Sequence, residues 1–113
     1  MLAKDKVESQ LERAEALYRE GEFSKAEAAL LKVARVKQLS NLERERIHDQ
    51  LACLTYQQGR FSAAAFWYLK VVQNRSRRLL LHDPEMKDTI RNYRLLLMLA
   101  QPESDGSEKR LSA

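Results

Sequence analysis

Two stretches of this chain decide how it folds. They are Ala14-Glu15-Ala16-Leu17-Tyr18-Arg19-Glu20-Gly21-Glu22-Phe23-Ser24-Lys25-Ala26 and Ala52-Cys53-Leu54-Thr55-Tyr56-Gln57-Gln58-Gly59-Arg60-Phe61-Ser62-Ala63-Ala64. The first Ala, the Tyr, Gly, Phe, Ser and last Ala coincide at an offset of 38 residues. Each element has a physical job. Ala14 and Ala52 let a neighbouring helix approach closely, and Gly21 and Gly59 make a tight turn that a left-handed glycine permits. Phe23 and Phe61 plug the angle between two helices, and Ala26 and Ala64 sit where those helices touch.

Working outward, apolar residues recur at three- and four-residue steps, the period of one helix face. The first helix is expected from about Lys4 to Glu20 through Val7, Leu11, Ala14, Leu17 and Tyr18. The second is expected from Phe23 to about Lys37 through Ala26, Leu30, Val33 and Val36. Ser40 and Glu43 have capping-box spacing, in which each side chain satisfies a free backbone N–H of a helix start. The third helix then runs through Ile47, Leu51, Leu54 and Thr55 to about Gln58. The fourth is expected from Phe61 to about Leu81, carrying Ala64, Tyr68, Val71 and Val72. Asp83 suits an N-cap and Pro84 the first helical turn, so a fifth helix starts near Glu85 and reaches about Ala100. Residues 101–113, QPESDGSEKRLSA, are polar with one large apolar residue, Leu111, and read as a disordered tail.

The repeated hairpin resembles the tetratricopeptide repeat, whose helix–turn–helix units of about 34 residues stack into a superhelix. The resemblance covers residues of roughly 8–38 and 46–77. A degenerate half repeat spans 83–100, where Asp83-Pro84-Glu85, Asn92-Tyr93 and Leu96-Leu97 are similar to repeats of the kinesin-light-chain type. Arg13 and Thr55 depart from the usual apolar residues. The expected fold is all-α: about five helices in antiparallel hairpins, stacked as a short superhelix over residues 1–100. A four-helix bundle is the alternative.

What the resemblance implies for function is a concave groove lined by the first helix of each unit, gripping a peptide or a helix. By register that face presents Glu8, Leu11, Glu15 and Tyr18, then Arg46, Asp49, Cys53 and Tyr56, then Asp88, Arg91, Leu95 and Met98. Aromatic anchors flanked by charges suit a protein segment. Relatives that grip a C-terminal carboxylate use Lys, Asn and Arg in this groove. Leu11, Glu15, Asn92, Asp88 and Arg91 or Arg94 fail that pattern. The expectation is an adaptor, assembly factor or chaperone that binds another protein. A stack of two and a half repeats is near the lower limit of self-sufficiency, so a partner is expected. Leu95 to Leu99, with Phe66, Trp67 and Leu79 to Leu81, offer more apolar surface than a hairpin needs, which adds self-association through the C-terminal helices.

Composition bounds the other classes. The 113 residues are 44% hydrophobic with three Gly and two Pro, too few turn formers for a sandwich or barrel. No run reaches about 18 uncharged apolar residues, so no membrane span is expected. The start, MLAKDKVESQ, lacks the apolar stretch of a secretory signal, and the expected location is cytoplasmic. One cysteine forms no internal disulfide. His48 and His82 have no Cys or carboxylate at zinc-ligand spacing, Cys53 has no aligned base, and no phosphate loop or hydrolase elbow occurs. The expectation is therefore no enzyme, no metal and no cofactor. Net charge is +4, with residues 31–94 basic and residues 1–30 acidic. A basic ridge of Lys70, Arg75, Arg77, Arg78, Arg91 and Arg94, near Trp67, Tyr68 and Tyr93, makes RNA binding the alternative function.

Overall fold

A computed structural model describes residues 2–101, with side chains from residue 6 onward. Five helices follow in order: α1 (Leu2–Arg19), α2 (Phe23–Ala34), α3 (Asn41–Gln57), α4 (Phe61–Ser76) and α5 (Pro84–Ala100). There is no strand among the described residues. Each helix packs on the next in the chain, which makes the fold a stack of helical hairpins. The tail expected over 101–113 falls, apart from Gln101, outside the described residues.

The two repeated stretches build the same turn twice. Gly21 and Gly59 take φ of 79° and 75°, a region costly for any residue with a Cβ. Past each glycine the chain closes back on its helix. The Gly21 N–H donates to the Tyr18 carbonyl at 3.0 Å and Glu22 N–H to that of Leu17 at 2.9 Å. The Gly59 N–H donates to the Tyr56 carbonyl at 3.0 Å and Arg60 N–H to that of Thr55 at 2.8 Å. This is the paired closure that satisfies carbonyls left open at a helix end. Tyr18 then meets Phe23 with ring centroids 5.5 Å apart, and Tyr56 meets Phe61 at 5.7 Å. Ala14, Ala26, Ala52 and Ala64 are all buried where helices approach.

The main core joins α1, α2 and α3 through Val7, Leu11, Leu30, Val33, Ile47, Leu51 and Leu54. A second cluster joins α3 and α4 through Ala52, Tyr68 and Val71, with Tyr93 and Leu96 of α5 packed on it. Thr55, where an apolar residue was expected, is fully buried. Its hydroxyl donates to the carbonyls of Leu51 and Ala52 at 2.8 and 3.1 Å, so the polar atom is satisfied within its own helix.

Both caps form as their sequences require. The Ser40 hydroxyl accepts from the Glu43 N–H at 3.0 Å while the Glu43 carboxylate accepts from the Ser40 N–H at 2.8 Å. Asp83 accepts from the Glu85 N–H at 2.8 Å, with Pro84 in the first turn. The far ends of α2 and α4 differ from expectation. Helix α2 stops at Ala34 rather than near Lys37, where Arg35 and Val36 N–H groups shift to carbonyls three residues back. Helix α4 stops at Ser76 rather than near Leu81. The Ser76 hydroxyl bonds the Gln73 carbonyl, and the Arg77 and Arg78 N–H groups turn to carbonyls three residues back, tightening the last turn. Leu80 and Leu81 therefore lie exposed in the connection and do not extend the helix.

Candidate functional site

Helices α1, α3 and α5 present side chains to one groove of about 570 Å³. Tyr18 comes from the last turn of α1, and Asp49, Cys53 and Tyr56 lie along α3 at three- and four-residue steps. Asn92, Leu95, Met98 and Leu99 do the same along α5, and Tyr68 of α4 contributes to the lining from between α3 and α5. The helical period explains each series, because residues three and four apart share a face.

The expected groove residues divide into three groups. Tyr18, Asp49, Cys53, Tyr56, Leu95 and Met98 are brought together on the groove. Glu8, Glu15 and Arg46 are instead tied to one another across α1 and α3. Arg46 reaches Glu8 at 3.1 Å and Glu15 at 3.0 Å, and the Gln50 amide donates to Glu15 at 2.9 Å. Arg46 and Glu8 occupy equivalent positions of the two repeats, so this pairing joins neighbouring units at one register. Glu15 still lines a smaller recess next to Asp49 and Gln50. Asp88 and Arg91 pair with each other on the surface of α5 at 3.1 Å and do not line the groove.

Leu11 corrects the register-based expectation: it is fully buried in the α1–α2–α3 core and faces no groove. Leu11 belongs to the same buried cluster as Val7, Leu30, Ile47 and Leu51. Ala52, Gln57, Tyr68 and Leu99 line the groove without having been assigned to it. Leu99 had a signal, since it lies four residues after Leu95. Tyr68 belongs to the second helix of its hairpin, so the rule of first helices passes over it.

The electrostatics of the groove are uneven. Asp49 makes no hydrogen bond and no ion pair among the described residues. Burial raises its carboxyl above the ordinary value, Arg75 pulls it back down, and Glu45 pushes it further up. Burial also raises the Cys53 thiol, and the Asp49 charge adds to that. Cys53 is nonetheless exposed at the groove surface. Such a thiol is a poor nucleophile at neutral pH, since the thiolate is the reactive form. His48 stacks on Trp67 at 5.7 Å, where burial and then Lys70 and Arg44 lower its pKa. No group of three His, Cys, Asp or Glu side chains converges among the described residues.

Glu45 of α3 is 7% exposed and accepts from Arg75 Nε at 2.7 Å and from Arg78 at 3.0 Å. Arg75 also donates to the Thr89 hydroxyl at 2.8 Å, and Glu85 lies 3.7 Å from it. This clip holds α3, α4 and the start of α5 together. Burial by itself raises the Glu45 carboxyl, but hydrogen bonds and charge from the two arginines outweigh it and leave it below the usual carboxylate value. Two arginines of the basic ridge are thereby engaged with Glu45. Lys70 is placed over the Phe66 ring at 4.8 Å.

Helix α5 is apolar on more than one side of its second half. Leu96 and Tyr93 pack on α4, yet Leu95, Met98 and Leu99 remain 51%, 64% and 48% exposed. No described helix is long and apolar enough to cross a membrane. No protein-family model, no curated protein and no solved structure matches this chain.

Proposed function

We propose that this chain is a non-enzymatic protein-interaction module of tetratricopeptide type, holding a peptide or helix of another protein in the α1–α3–α5 groove. One observation carries the reading: Leu95, Met98 and Leu99 line an open groove with Tyr18 and Tyr56 and stand largely in water. Folded chains seldom leave contiguous large apolar side chains uncovered, and a groove of helices with aromatic walls suits a helix or an extended segment. The doubled Gly–Phe turns support the repeat reading, since they place Tyr18 and Tyr56 at matching ends of α1 and α3. Adaptor, assembly factor and chaperone are three uses of that one surface, in the cytoplasm on the composition reading.

RNA binding is the weaker alternative. Arg75 and Arg78, the centre of its ridge, are engaged with Glu45, and Arg91 is paired with Asp88. A phosphate backbone would have to compete with those bonds.

The reading is tested by affinity purification from the native host with mass spectrometry, comparing the native chain with Tyr18→Ala/Tyr56→Ala. Because Tyr18 also packs on Phe23, a second pair, Leu95→Ser/Met98→Ser, changes the groove at exposed positions only. Partners lost from both variants support the groove. A partner set kept intact by both rules it out.

A further inference from the structure

The groove carries a charge opposite to that of the chain. The protein is net +4, and residues 31–94 alone carry 13 Lys and Arg against 6 Asp and Glu, +7. Yet, among the described residues, no Lys or Arg lines the groove or its adjoining recess. Their charged lining residues are Asp49 and Glu15. Glu15 is bonded to Arg46 and Gln50, whereas Asp49 has no hydrogen bond or ion pair among the described residues. The other charges that bear on it, Arg75 and Glu45, are bonded to each other at 2.7 Å.

An unpaired carboxylate in partly desolvated, apolar surroundings is costly to the fold. Burial raises the Asp49 carboxyl, so its ionised form at neutral pH opposes folding rather than supporting it. A carboxylate that costs the fold stability and stands in an open groove fits a role in binding. The missing partner is a cation with the reach of a lysine or arginine, delivered with apolar side chains for Tyr18, Tyr56, Leu95 and Met98.

We infer that the groove selects a partner segment with a lysine or arginine seated on Asp49 and apolar residues flanking it, as on one face of an amphipathic helix. This deepens the proposed function and rests on it. The cation supplies specificity, because an acidic or neutral segment leaves Asp49 desolvated and unpaired. The apolar flanks supply most of the contact.

The test uses the full chain as bait for a display library of random 16-residue peptides. Selected peptides are then titrated by fluorescence anisotropy against the native chain, Asp49→Asn and Leu95→Ser, and resynthesised with the basic residue changed to Gln. The expected result is enrichment of Lys or Arg between apolar residues. Asp49→Asn should weaken such a peptide about tenfold, the range of a charge-assisted hydrogen bond. The Gln peptide should bind the native chain and Asp49→Asn alike. Thermal unfolding of Asp49→Asn should match or exceed the native chain, which separates a binding role from a structural one.

Binding lost with Leu95→Ser but indifferent to Asp49→Asn overturns the cation while leaving the groove standing. Binding indifferent to both variants, or no groove-dependent peptide at all, overturns both. Competition by a synthetic peptide of residues 102–113, or a dimer broken by Leu95→Ser, makes the chain its own occupant and overturns the inference of an external basic segment.

Discussion

Replacing Arg75 with alanine should destabilise the protein by about 2–3 kcal/mol, less than the roughly 3–5 kcal/mol of breaking a buried pair outright. The magnitude follows from what is left behind. Glu45 has a side chain only 10% exposed, and Arg75→Ala removes its 2.7 Å partner. Arg78 still donates to the same carboxylate, but at 41% exposure it is a wetter and weaker compensator. The Thr89 hydroxyl loses a donor yet keeps its own bond to the Glu85 carbonyl at 2.8 Å, so it adds little. Urea unfolding followed by far-UV circular dichroism reads the change, and with ordinary slopes the midpoint should fall by about 1–2 M. The surface pair supplies the control: Arg91→Ala should move stability by less than about 0.5 kcal/mol. Glu45→Met/Arg75→Met should recover most of the loss, since removing both charges leaves neither unpaired. If Arg75→Ala lies within about 0.5 kcal/mol of the native chain, the clip contributes no more than an exposed ion pair and the argument fails.

Three further outcomes follow from the same structure. Gly59→Ala should cost about 1–2 kcal/mol through backbone strain alone, because φ is 75° and an added Cβ meets nothing within 4 Å. Denaturant midpoints should show this without loss of helical signal, and Gly59→Asn should cost less. Glu45 titrates below its ordinary value in the fold, so its contribution is complete above the unfolded carboxyl value of about 4.3 and disappears as pH falls through the folded value. The stability gap between the native chain and Glu45→Gln should accordingly narrow in acid, and a gap that widens there contradicts the assignment. Cys53 should react with a thiol-specific fluorophore more slowly than a free thiol at pH about 8, since burial and Asp49 raise it above the ordinary value of about 8.5. Asp49→Asn should speed that labelling, and an unchanged rate means the two side chains do not sense each other.

How much of this was legible beforehand depended on whether the signal was local. The Gly21 and Gly59 turns, the Ser40–Glu43 box and the Asp83–Pro84 start are set by residues within a turn of each other, and all form as read. The ends of α2 and α4 carried no glycine or proline. At α2 the last N–H groups turn to carbonyls three residues back, and at α4 a serine back-bond and arginines reaching a distant glutamate accompany the stop; none of these leaves a periodic trace. The same holds in the groove. Tyr56, Leu95 and Met98 follow from the register of the repeat resemblance, whereas the burial of Leu11 is set by packing with Leu30, Ile47 and Leu51, which are distant in sequence. Glu45 lies 30 residues from Arg75 and 33 from Arg78 in sequence, and their charges read as solvated faces until the helices are stacked.

In the proposed function one groove, and not another surface, receives the partner. The most direct measurement is a backbone amide NMR titration of the full chain with a selected, affinity-tested peptide. Shift changes gathered on Tyr18, Asp49, Cys53, Tyr56, Leu95 and Met98 are the predicted result. Changes confined to the outer faces of α2 and α4, around Leu31 or Phe66, with the groove amides unmoved, would contradict it.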